Sequence, residues 1–194
     1  MLADLSFALQ NIIASIQHNT FFVLKLIAIL WIINIVNFIL GYRLNFLGIY
    51  PRNIFGLPGI ICSPFLHGNF NHLFFNSIPL FVLINLILFN GHLDFYYISI
   101  TIILLSGSAL WLFGRKAIHI GSSTLIMGYF GYLLINAYHQ PTIVTVLLAA
   151  VCIYYFGGLF LALFPGKKGI SWEGHVFGFL AGIAAAFLFP GVIS

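Results

Sequence analysis

His119-Ile120-Gly121-Ser122-Ser123-Thr124-Leu125-Ile126-Met127-Gly128-Tyr129-Phe130-Gly131-Tyr132 is an apolar run opened by a Gly-Ser-Ser turn and thinned by Gly128 and Gly131. In a water-soluble chain the paired serines would read as a helix cap, because a serine hydroxyl satisfies the free amides of a first helical turn. The composition around them changes that reading. Of the 194 residues, 62% are hydrophobic and 5% charged, and the mean hydropathy is +1.12. Such a chain is an integral membrane protein. Polar groups at membrane depth are costly and usually functional, so serines at the mouth of a membrane helix need an explanation beyond capping.

The length suits one compact bundle and leaves no room for a soluble domain beside it. Cys62 and Cys152 stand in apolar context without metal spacing. They read as small core residues and say nothing about redox compartment. A formal charge of +4, from seven Lys/Arg against three acids, is too sparse for a nucleic-acid surface.

Working outward, residues 2–17 place Leu2, Leu5, Leu9, Ile12, Ile13 and Ile16 at helical spacing, with Asp4, Gln10, Asn11 and Ser15 largely between them. This predicts an amphipathic helix lying at the membrane interface. No basic n-region precedes it, so no signal cleavage is expected. Six spans follow, at 21–40, 72–89, 95–113, 123–138, 142–164 and 175–189. Asn34 and Asn37 share a face of the first and should point into the bundle. The connection 41–71, rich in Gly, Pro and aromatics, is too apolar for a flexible linker and predicts a structured loop. The resulting division is an N-terminal interfacial helix (1–19), a six-helix membrane domain (20–190) and a short C-terminal tail (191–194).

The fourth and sixth spans are short. About 16 apolar positions make roughly 24 Å of helix against a hydrocarbon core of ~30 Å. Gly128 and Gly131 on one, and Gly178 with Gly182 on the other, permit close backbone approach. These two helices therefore belong side by side at the centre.

With alternating crossings, the N-terminal ends of spans two, four and six lie on one side. His72 opens the second, Ser123 the fourth and His175 the sixth, and Asn76 lies one turn below His72 on the same face. Topology alone thus gathers a hydroxyl, two imidazoles and a carboxamide at one depth. The chemistry they support is acyl transfer. Serine is a weak nucleophile until a base takes its proton, and histidine is the usual base near neutral pH. A tetrahedral intermediate then needs donors aimed at its oxyanion. The Ser123 amide at a helix N-terminus, the His72 imidazole and the Asn76 carboxamide are candidates. Glu173, two residues before His175, would point away from it, so a Ser-His dyad is expected rather than a triad.

Other chemistries find little support. No H-E-x-x-H zinc motif is present, and Asp4 and Asp94 both fall outside spans, which leaves no intramembrane aspartate pair. His67 and His72 are five apart, a poor metal spacing for one helical face. A transporter would show a buried charge or broken repeats. Neither a metal nor another cofactor is expected.

Gly48-Ile49-Tyr50-Pro51-Arg52, with Ser63 through Asn76, resembles the first loop and second helix of rhomboid intramembrane serine proteases. His119 through Ser123 resembles their nucleophile motif, usually G-x-S-G, and Gly174 through Gly182 resembles their sixth helix. The resemblance implies an all-α, six-transmembrane-helix rhomboid-like bundle with a structured first loop. It implies Ser123 as nucleophile, His175 as general base, and His72, Asn76 and the Ser123 amide as oxyanion donors. His67, Arg52, Gly121, Met127, Gly178 and Gly182 would be structural parts near the site. The partners it implies are single-span membrane segments as substrates, entering laterally beside the fifth span, and membrane lipid. The alternative is a catalytically weak or inactive rhomboid-fold protein that binds transmembrane clients for quality control or trafficking.

Two positions depart from the family. Thr124 replaces the glycine usual after the nucleophile, placing a β-branched side chain near the expected oxyanion pocket. Met127 replaces the aromatic that usually packs on the catalytic imidazole. Orientation carries a conflict. Arg43, Arg52, Arg115, Lys116, Lys167 and Lys168 all fall in loops one, three and five, and the positive-inside rule would turn that side to the cytoplasm. The resemblance implies the opposite, a site opening to the extracytoplasmic side of a bacterial inner membrane, and that orientation is the expectation adopted.

Overall fold

A chain in lipid must satisfy its backbone amides and carbonyls internally, which helices do. The computed structural model describes residues 2–158, 163–164 and 171–190. Among these the helices are α1 (Leu2–Ile39), α2 (Gly59–Cys62), α3 (Phe70–Ile87), α4 (His92–Phe113), α5 (Ser123–His139), α6 (Ile143–Phe156) and α7 (Trp172–Leu188). The result is the all-helical membrane bundle expected from composition. Three helices among the described residues are long and apolar enough to cross a membrane: Asp4–Ile39, Phe70–Asn90 and His92–Phe113. Helices α5 and α7 have 17 residues each and are as short as their sequence predicts. The expected fifth span, its following loop with Lys167 and Lys168, and the 191–194 tail lie partly or wholly outside the described residues.

Helix α1 departs from expectation. It runs unbroken for 38 residues through the boundary placed at 19–20. No Gly or Pro interrupts it, and its polar side chains bond back one turn: Thr20 Oγ1 donates to the Ile16 carbonyl at 2.6 Å and Asn19 Nδ2 to Ser15 Oγ at 3.2 Å. At ~1.5 Å per residue it measures about 57 Å, well beyond a ~30 Å hydrocarbon core. Asn34 and Asn37 are both buried. Asn37 anchors the start of the first loop through Asn45 Oδ1 at 2.9 Å and the Leu44 amide at 3.0 Å.

The 41–71 connection is structured, built from 3-10 turns and α2. A two-way bridge between Ile49 and His119, at 3.0 and 2.8 Å, pins it to the segment before α5. The Gly121 amide donates to the Ser63 carbonyl at 2.9 Å. Arg52, at φ 57°, donates through Nη1 to the Leu112 carbonyl at 3.0 Å, and its amide to that of Trp111 at 2.9 Å. It thus ties the first loop to the C-terminal end of α4.

Helix α5 packs most extensively on α7, with α4 as the second neighbour of α7. Glycines allow it: a Cβ on Gly178 would run into the Thr124 carbonyl, and one on Gly182 into that of Gly128. Tyr129, Phe130 and Tyr132 fill the core beside this seam. The central pair read from the glycine spacing is the pair observed.

Candidate active site

The Gly121-Ser122-Ser123 turn points its two serines in different directions. Ser122 occupies the N-cap position of α5 but makes no capping bond with its side chain. Its Oγ lies 3.3 Å from Nε2 of His67, in the buried interior. Ser123, the first residue of α5, lines a cavity of about 790 Å³. Gly121 permits this turn on two counts. Its φ of 116° lies in the left-handed region, and a Cβ there would sit 2.8 Å from the His72 ring and 3.6 Å from Asn76 Nδ2.

The same cavity is lined by His72, Asn76, Met127 and His175. The structure therefore brings together the hydroxyl, both imidazoles and the carboxamide that topology was expected to gather. Asn69 caps α3, its Oδ1 accepting from the His72 amide at 2.8 Å, which fixes the turn carrying His72. Asn76 Nδ2 is buried without a hydrogen-bond partner among the described residues. An unspent donor at a cavity wall is costly unless something in the cavity uses it. His175 is buried on the first turn of α7. Glu173 turns toward Arg115, with Oε1 3.6 Å from Nε.

His67 lines no part of the cavity wall and stands behind it. It is fully buried, and its ring meets that of His72 edge-on at 5.0 Å between centroids. Burial, then the nearby charge of His72, hold its pKa down to about 3, so the ring is neutral. Met127 lies on the cavity wall one turn along α5 from Ser123. Thr124 does not lie where expected. Successive helical residues are about 100° apart, and Thr124 faces a second, small space lined with Ile49, Ser63 and Leu125. Its Oγ1 abuts Gly174, where a Cβ would lie 2.8 Å away. It crowds the α5–α7 seam, not the pocket.

Sequence reasoning passed over His119 and Ser171, which also line the cavity and lie 2.7 Å apart, Nδ1 to Oγ. The signal was a histidine heading the nucleophile motif, where the basic third loop runs into the apolar helix.

The family model described as Rhomboid domain matches residues 55–191. The chain belongs to the rhomboid family. This rhomboid chain is similar to an uncharacterized protein of Mycobacterium bovis and to one of Mycobacterium tuberculosis, each 34% identical over 175 residues, covering 86% of this chain and 73% of theirs. An uncharacterized protein of Mycobacterium leprae is 31% identical over 175 residues, covering 86% and 69%. His72, Asn76, Ser123 and His175 all fall inside the matched rhomboid domain, and Arg52 lies just before it.

Proposed function

We propose that this rhomboid protein is an intramembrane serine endopeptidase that cuts transmembrane protein segments with a Ser123–His175 dyad. His175 takes the proton from Ser123 Oγ as that oxygen adds to the scissile carbonyl. The negative charge on the former carbonyl oxygen is met by the Ser123 amide, by His72 and by Asn76 Nδ2. His175 then returns its proton to the leaving amine as the C–N bond breaks, leaving an acyl-Ser123. Water, deprotonated by the same imidazole, releases the acid and regenerates the hydroxyl. Substrates reach the site from the lipid beside α6, and the cavity opens to the extracytoplasmic side of a bacterial inner membrane.

The observation that carries this reading is the convergence on one cavity, in an otherwise apolar bundle, of Ser123, His175, His72 and an Asn76 donor unpartnered among the described residues. The test is covalent labelling with a fluorophosphonate in detergent. Wild type and Ser122→Ala should label, and Ser123→Ala should not. Labelling lost with Ser122 and kept without Ser123 would shift the nucleophile by one residue. A folded wild type that neither labels nor cleaves a transmembrane substrate in liposomes would leave a client-binding rhomboid fold.

A further inference from the structure

One polar cluster beside the cavity has no part in the proposed chemistry. Ser171 caps α7, its Oγ accepting from the Gly174 amide at 3.2 Å. The same oxygen lies 2.7 Å from Nδ1 of His119, whose Nε2 lies 3.0 Å from the Arg115 carbonyl. A carbonyl can only accept, so Nε2 carries the ring proton and Nδ1 of the neutral ring is an acceptor. Ser171 therefore donates to Nδ1 while accepting from Gly174. Burial lowers the His119 pKa, against the bond to the Arg115 carbonyl and the charge of Glu173, while the Arg115 charge lowers it further. The ring is thereby kept in the neutral form that this pattern needs.

The cluster joins the two pieces of chain that carry the dyad. His119 lies four residues before Ser123, and Ser171 four before His175, whose amide donates to the Ser171 carbonyl at 3.3 Å. On its other side, His119 is fixed by the main-chain bridge to Ile49. The Arg115–Glu173 pair and the Thr124–Gly174 contact span the same seam, but the first is long and partly exposed, and so worth little.

We propose that His119 and Ser171 are positioning residues: their directed hydrogen-bond chain latches the first turn of α7 to the Ser123 turn and sets the separation of His175 from Ser123. The role rests on the protease reading above. A misplacement of about 1 Å in reacting groups can cost about 10²-fold in rate, and the His119–Ser171 bond crosses this seam four residues from each dyad member.

The test uses the full chain in liposomes with a transmembrane substrate, comparing His119→Phe, Ser171→Ala, the double variant and His119→Gln, each checked by thermal melt. Phe removes both ring contacts, whereas a Gln amide offers one acceptor and one donor in their place. Expected is a fall of about 10²-fold in kcat for His119→Phe and Ser171→Ala, with KM little changed. The double variant should be no slower than the slower single, and His119→Gln should recover most of the rate. Folded single variants with wild-type kcat, or a change confined to KM, overturn the latch while leaving the protease reading intact. If His119→Phe does not fold, Ser171→Ala alone decides by the same criterion. If wild type neither labels nor cleaves, the protease reading has failed and the melts judge the latch: additive destabilisation by the two substitutions overturns it, and strong non-additivity supports it.

Discussion

The most consequential single atom beside the cavity is Asn76 Nδ2, a buried donor without a partner among the described residues. If it serves an oxyanion, its loss should lower turnover and spare substrate binding, since the interaction strengthens in the transition state. Removing one such donor typically costs ~10²–10³-fold. Asn76→Ala should fall near the low end, because His72 and the Ser123 amide remain. His72→Ala should be worse, since it also takes away the ring that His67 and Gly121 pack against. Single-turnover cleavage in liposomes checks both, and folded variants at wild-type rate would remove the two residues from the mechanism. His67 makes a different prediction, on stability. Its native pKa is about 3 against an unfolded value of 6.5. Between those values the unfolded chain binds a proton that the native chain refuses, so its contribution is complete above pH 6.5 and lost as pH falls. Each pH unit of that window costs about 1.4 kcal/mol. Wild type should therefore lose melting temperature more steeply from pH 6.5 to 4 than His67→Gln, which cannot titrate there. Parallel curves would mean that the ring is hydrated and protonates normally.

Among elements, the α5–α7 seam has the least room. A Cβ at Gly182 meets the Gly128 backbone, which cannot swing aside as a side chain can. Gly182→Val should push the helices apart and cost at least the ~1–3 kcal/mol of an overpacked core. A large fall in detergent melting temperature is expected, and a variant melting as wild type would mean the helices are not in contact there. Thr124→Gly probes the other end of the seam. From sequence it should relieve a crowded oxyanion pocket and keep or raise turnover. The structure turns the side chain onto Gly174, so the variant should lose packing and up to ~1 kcal/mol of helix stability, with no gain in rate. Faster single-turnover cleavage would restore the earlier expectation. These cases show what the sequence could reveal. Glycine spacing announced the seam, because only close backbone approach calls for glycine on both partners. Polar residues at three span entrances announced the cavity, because lipid makes them conspicuous. Hidden were features set by rotation and by partners distant in sequence: the direction of Thr124, the link from His119 to Ser171, and the pairing of Ser122 with His67. The unbroken α1 was misread because a change of hydrophobic pattern looks like a boundary even where no residue breaks the helix.

At the scale of the whole molecule, loop charge and folded structure pull differently on which face of the membrane the cavity serves. Loops one, three and five hold six of the seven Lys/Arg, and counted naively they draw that face to the cytoplasm. The fold engages two of these charges locally. Arg52 is bound to the Leu112 carbonyl at a left-handed backbone position, and Arg115 faces Glu173 on the same side. The bridge of Ile49 to His119 joins loops one and three into one folded surface beside the cavity. Charges engaged in this way follow the folded surface wherever it faces, so their number is a weaker guide to topology than it would be in plain loops. We therefore expect the cavity to face outward and both ends of the six-span chain to lie in the cytoplasm. A green fluorescent protein fused after Ser194 should fluoresce in a bacterial host, and an alkaline phosphatase fused there should be inactive. The paired reporters cover both outcomes. Active phosphatase with a dark fluorescent fusion would mean that the basic loops decide the topology, and would move any cut to the cytoplasmic face.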